Sequence, residues 1–114
     1  MEDIQVGEYV RDCDGFIVKV NEVQEYKEDD DIWYQETTLK GTWKSMIVKH
    51  SFNIIDLIEV EDILELLCNE LTKETSTIRI KDIEQLKTIK QIPKFIKTIL
   101  TKEQYNSNCY RMEE

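Results

Sequence analysis

The densest run of β-branched residues lies at the centre of the chain, Met46-Ile47-Val48-Lys49-His50-Ser51-Phe52-Asn53-Ile54-Ile55-Asp56-Leu57-Ile58-Glu59-Val60. Such residues lose side-chain freedom in a helix and fit a pleated surface, so the centre of this chain favours short strands. His50-Ser51-Phe52-Asn53 interrupts the strand period, and residues 54–58 resume it. The same period runs upstream. Residues 4–11 and 16–23 alternate apolar with polar side chains on either side of Asp14-Gly15, a tight-turn pair because glycine accepts positive φ. A β-hairpin is expected there, with Ile4, Val6, Phe16, Val18 and Val20 facing inward.

Tyr26-Lys27-Glu28-Asp29-Asp30-Asp31 follows. Four consecutive acids repel one another and resist burial, so this is an exposed loop tip. Calcium loops of the DxDxDG type need a central glycine and a closing glutamate, and Ile32-Trp33 stands here instead. Residues 32–38 and 42–48 read as two further strands around a Lys40-Gly41 turn. Trp33 and Trp43 fit cross-strand packing, or recognition from an exposed sheet face.

Short strands joined by tight turns define the expected fold class: α+β and mostly β. An SH3-like small barrel or twisted antiparallel sheet is expected, with two or three short helices in the C-terminal half. The 114 residues are expected to form one domain, with a β-rich half at 1–57 and a mixed half at 58–114. In the second half, Ile58-Glu59-Val60-Glu61-Asp62-Ile63-Leu64 echoes Ile4-Gln5-Val6-Gly7-Glu8-Tyr9-Val10. The echo points to a second strand at an equivalent place. Against it, Val60, Ile63, Leu64, Leu67 and Leu71 share a helical face, and a helix is favoured over 61–71. Residues 75–81 alternate as a strand. Residues 82–89 suit a short helix capped by Asp82, and Pro93 ends any continuation. Residues 94–100 read as a closing strand. Thr101-Lys102-Glu103-Gln104 is a capping-box pattern, and residues 109–112 are a candidate last strand.

Net charge is −9, with 24 acids against 15 bases. That average field repels a phosphate backbone, so direct nucleic-acid binding is not expected, whereas a basic protein surface is attracted. Most of the negative field belongs to residues 1–57. Lys87, Lys90, Lys94 and Lys97 form the one basic stripe, read as a solvated face. Cys13, Cys68 and Cys109 are odd in number and widely spaced, which points to reduced thiols in a cytoplasm. No apolar run reaches the roughly 20 residues of a membrane span. His50 is the single histidine, so no two-histidine metal site can form. A relay of a cysteine with His50 and Asp56 can be written down, but nothing local activates the thiol, and no enzyme or cofactor is expected.

Val6-Gly7-Glu8-Tyr9-Val10 with Gly15-Phe16-Ile17 resembles the start of SH3-like and KOW-type barrels. The segment 48–60 resembles a recurring segment of small phage and prophage proteins from Gram-positive bacteria. Those proteins also open on a Val-Gly-acid-Tyr-Val hairpin, and end on a stretch like residues 96–105 followed by Tyr110. In many of them the central segment continues into a Gly-Asp-Tyr-Val-Asn-Gly turn, where this chain has Glu61-Asp62-Ile63-Leu64-Glu65-Leu66. The resemblance implies a phage or prophage origin. Small acidic phage proteins include anti-CRISPR and other defence inhibitors, and by that analogy a non-catalytic inhibitor of a host defence protein is expected. It would act in the bacterial cytoplasm on a host protein with a basic, nucleic-acid-binding surface. Glu28, Asp29, Asp30, Asp31 and Trp33 are the candidate contacts. The alternative is a phage structural or regulatory binding module with no inhibitory role.

Overall fold

The computed structural model describes residues 4–108, and the chain divides into two compact units, Met1–Leu57 and Ile58–Glu114. The first unit begins with a tight turn. Gly7 stands at φ +98, a backbone conformation that a Cβ disfavours. The Glu8 N–H donates to the Gln5 carbonyl at 3.1 Å, and the Glu8 carboxylate accepts from the Gln5 N–H at 2.6 Å. Strand β1 (Tyr9–Asp12) follows, then β2 (Ile17–Lys19), paired antiparallel across the Asp14-Gly15 turn. Asp12 organises that turn: its Oδ1 accepts from the N–H groups of Asp14 and Phe16, and its Oδ2 from the Thr42 hydroxyl.

The chain bends at Val20 and Asn21 into β3 (Glu22–Tyr26). Strand β4 (Asp31–Thr37) pairs with β3, and β5 (Lys40–Trp43) pairs with β4. Lys44–Met46 make one 3-10 turn, and β6 (Ile47–Ser51) returns to pair antiparallel with β1. A second 3-10 turn, Ile54–Leu57, ends the unit. Two sheets result, ordered β2-β1-β6 and β3-β4-β5. Ile4, Val10, Val18, Val20, Tyr34 and Ile47 form the core, with Ile32 packed against it. Each such burial is worth roughly 1.5–3 kcal/mol. The Arg11 guanidinium is also buried, and its Nη1 donates to the Leu57 carbonyl at 2.9 Å.

The second unit holds β7 (Ile63–Asn69), β8 (Glu74–Arg79), α1 (Ile83–Lys90), a 3-10 turn at Pro93–Phe95, β9 (Ile96–Leu100) and α2 (Lys102–Asn108). Its sheet is ordered β8-β7-β9. The protein is therefore mostly β, with three small antiparallel sheets and two α-helices among the described residues. Strand pairing closes no barrel among those residues.

The frame of the first unit recurs in the second at the echoed heptapeptide. Gly7 N–H donates to the Val20 carbonyl at 2.8 Å, and Glu61 N–H to the Ile80 carbonyl at 2.7 Å. Val20 N–H donates to the Glu8 carbonyl, as Ile80 N–H does to the Asp62 carbonyl. The carboxylate of Glu8 accepts from Gln5 N–H, and that of Asp62 from Glu59 N–H. Glu61 even adopts φ +79 where the first unit has its glycine. Both frames then run through a hairpin and a 3-10 turn to a strand that pairs back on the first. What differs is the connection between hairpin and returning strand: β3-β4-β5 in one unit, α1 in the other.

Several expectations need correction. Residues 61–71 are not helical. Leu64 is buried on a strand paired on both sides, and Leu71 is 94% exposed at a hairpin turn. Asn69 builds that turn by accepting from the N–H groups of Leu71 and Thr72. Residues 54–58 do not resume a strand, because Asn53 Oδ1 accepts from Ile55 N–H and starts a 3-10 turn. The strand expected over 42–48 is split by the Lys44–Met46 turn. The first strand starts only at Tyr9, because the Gly7 turn occupies residues 5–8. That turn leaves Val6 59% exposed, and Phe16, held in the Asp12 turn, is 50% exposed. The helix at 82–89 stands at Ile83–Lys90, and Asp82 caps it by accepting from Gln85 N–H. Thr101 Oγ1 accepts from Gln104 N–H at 3.4 Å at the start of α2. The strand expected at 109–112 lies outside the described residues.

Candidate functional site

The β3–β4 hairpin carries the acidic run. Lys27–Asp30 form its tip, with Asp30 at φ +51, a conformation aspartate tolerates better than most residues. Glu28, Asp29 and Asp30 are exposed. Asp31 has a different fate. Its Oδ2 accepts from the Ser45 hydroxyl at 2.7 Å, and its Oδ1 from the N–H groups of Ile32 and Ser45. The Ser45 hydroxyl, these N–H groups and the Lys44 charge hold the Asp31 carboxyl below its ordinary value, against a smaller desolvation effect. Asp31 thus ties the first residue of β4 to the 3-10 turn after β5. Three of the four acids form a free anionic tip, and the fourth fastens its base.

Alternation sorts the β3-β4-β5 sheet into two faces. Tyr34 and Thr42 are buried on one. The other carries Tyr26, Trp33 and Trp43. Trp33 and Trp43 are directly opposite in register, with ring centroids 5.0 Å apart at 65°. Tyr26 meets Trp43 at 5.2 Å and 67°. Such edge-to-face pairs are worth about 0.5–1.5 kcal/mol beyond area burial. The Trp33 indole lies over Gly41, where an added Cβ would sit 2.4 Å from Cζ2. The polar ring atoms are already used: Trp33 Nε1 donates to Gln35 Oε1 and the Tyr26 hydroxyl to Gln24 Oε1. Trp33 is therefore a member of a three-ring ladder and not a lone anchor. The missed member is Tyr26. Its parity with Gln24 placed it on this face, but its reach to Trp43 depends on the sheet register. Beside the ladder, an open cleft of about 280 Å³ is lined by Glu25, Tyr26, Lys27, Asp30, Asp31, Ile32 and Lys44.

His50 does not meet Asp56. Its Nδ1 bonds Glu8 Oε1 at 2.8 Å, and Asp56 Oδ2 accepts from the Ser51 hydroxyl. Burial alone would raise the Glu8 carboxyl. The His50 hydrogen bond, the Gln5 N–H and the His50 charge outweigh it and hold the group below its ordinary value. Cys13 and Cys68 are free and exposed; Cys109 lies outside the described residues. Among the described residues, no group of three or more His, Cys, Asp or Glu side chains is placed to hold a metal, and no helix is long and apolar enough to cross a membrane. The lysine stripe is divided, with Lys87 and Lys90 on α1, Lys94 in the 3-10 turn over the Phe95 ring, and Lys97 on β9.

Compared with known proteins, the chain matches no family model, no curated protein and no solved structure.

Proposed function

We propose that the chain is a non-catalytic protein of phage or prophage origin that binds and inhibits a host defence protein, in the manner of an anti-CRISPR protein. It acts in the cytoplasm of the bacterial host. The β3–β4 hairpin lies on a basic surface that otherwise holds nucleic acid. The observation that carries this reading is the free tip formed by Glu28, Asp29 and Asp30, set on a base that Asp31 fastens through Ser45. Residues 22–37 hold seven acids and one base. Charge of this density steers a basic partner and is screened by salt. Asp31 is a positioning residue in this reading, and Glu28, Asp29 and Asp30 make the contact.

The first unit is read as SH3-like. Its order supports that reading: a hairpin, a bent second strand continuing into a three-stranded sheet, a 3-10 turn, and a last strand back on the first.

The test captures the tagged protein's partner from a nuclease-treated lysate of a phage-sensitive host. The captured protein is then loaded with labelled nucleic acid. The native chain should displace the label, with steep loss in salt. Reversing Glu28, Asp29 and Asp30 to lysine should abolish displacement in a chain that still unfolds cooperatively, its midpoint lowered only slightly because lysine suits the left-handed turn at Asp30 less well. Displacement that survives the triple reversal would overturn the mimic mechanism and favour a structural or regulatory module.

A further inference from the structure

We infer that the outer face of the β3-β4-β5 sheet is a seat for arginine side chains of the partner. The inference rests on the binding reading above and adds a second, chemically distinct contact to the acidic tip.

Tyr26 is 41% exposed, and Trp33 and Trp43 are each half-buried on the same face. Their hydroxyl and indole N–H groups are bonded to Gln24 and Gln35. The rings' own polar atoms are therefore occupied, and what they offer a ligand is π surface. Aromatic faces attract bases or cations. Stacked bases bring phosphates, and the seven acids of residues 22–37 repel those. A cation is attracted by both the rings and the acids. Between the two cationic side chains, the guanidinium is planar and weakly hydrated and stacks on rings, whereas the ammonium keeps its water. The neighbouring cleft is a poorer seat, because Lys27 and Lys44 line it alongside Asp30 and Asp31. Register puts the three rings on one sheet face, tilted edge to face at 65° and 67°, and the bare backbone of Gly41 leaves room for the Trp33 indole, so the rings form a ridged tray.

The test titrates the full chain with tetra-arginine and tetra-lysine peptides, followed by tryptophan fluorescence. Trp33 and Trp43 are the only tryptophans, and both belong to the ladder. The arginine peptide should bind more tightly than the lysine peptide, with the roughly two- to fivefold worth of a whole exposed cation–π contact, about 0.5–1 kcal/mol, as the ceiling on the preference for each side chain seated. Tyr26→Ala and Trp43→Phe should each reduce that preference while the charge stays the same. Reversal of Glu28, Asp29 and Asp30 should weaken both peptides alike and keep the preference. Equal affinity for the two peptides, or binding of neither, would overturn the tray. So would a preference untouched by both ring variants. An arginine preference in a protein whose displacement of nucleic acid survives the triple reversal would keep the tray and remove the acidic-tip reading.

Discussion

Glu61 offers a direct test of the repeated frame. It stands at φ +79 in the place where the first unit has Gly7 at φ +98. A left-handed conformation costs an L-residue about 1–2 kcal/mol. Glu61→Gly removes that strain but loosens the unfolded chain, which returns about 0.5–1 kcal/mol. The net expectation is a stabilisation of about 0.5–1 kcal/mol. Glu61→Ala keeps the Cβ and the strain, and should change stability by less than about 0.5 kcal/mol. Gly7→Ala should run the other way and cost about 1 kcal/mol or more. The added Cβ meets Phe52 Cε1 at an ordinary 3.5 Å, so the cost is conformational and not steric. The assay is urea unfolding by far-UV circular dichroism, with tryptophan fluorescence following the first unit, where both tryptophans lie. A shift of 1 kcal/mol corresponds to about 0.3–1 M in the urea midpoint for a small protein. If Glu61→Gly destabilises and Gly7→Ala is neutral, the equivalence of the two turns is wrong.

Two further outcomes are expected. Gly41→Ala places a Cβ 2.4 Å from Trp33 Cζ2 and 2.7 Å from the Tyr34 carbonyl oxygen. It should cost about 1–3 kcal/mol as overpacking, read by the fluorescence transition, and an unchanged midpoint would mean the indole does not rest on the glycine. The Glu8 carboxyl is held below its ordinary value of 4.5 in the fold. Its contribution is therefore complete above that value and is lost as the pH falls through the lowered folded value. Glu8→Gln should flatten the acid limb of stability against pH, and an identical limb would refute the role of the His50 and Gln5 contacts.

Features set by neighbouring residues were legible in the sequence. Asp14-Gly15 fixed the first hairpin, Asp82 and Thr101 marked two helix starts, and the acidic run marked an exposed tip. What was not legible depends on partners distant in the chain. The Lys44–Met46 turn interrupts a good strand pattern because Asp31 holds Ser45. Residues 61–71 satisfy a helical face, yet pairing with both β8 and β9 makes them a strand, and no local propensity contains that pairing. His50 reads as a turn residue until the fold brings Glu8 to it. At the candidate site the charges were readable, but the separate role of Asp31 and the place of Tyr26 in the ladder required the sheet register.

The repeated frame has a consequence for engineering. The connection between hairpin and returning strand is residues 21–46 in one unit and 81–95 in the other. Loop-closure entropy grows only with the logarithm of length, so this difference costs about 0.5 kcal/mol. The frame is nearly indifferent to the length of what it carries. Grafts of a foreign hairpin there become a practical route to new binding surfaces, provided the core place of Tyr34 and the Thr42 bond to Asp12 are kept or refilled.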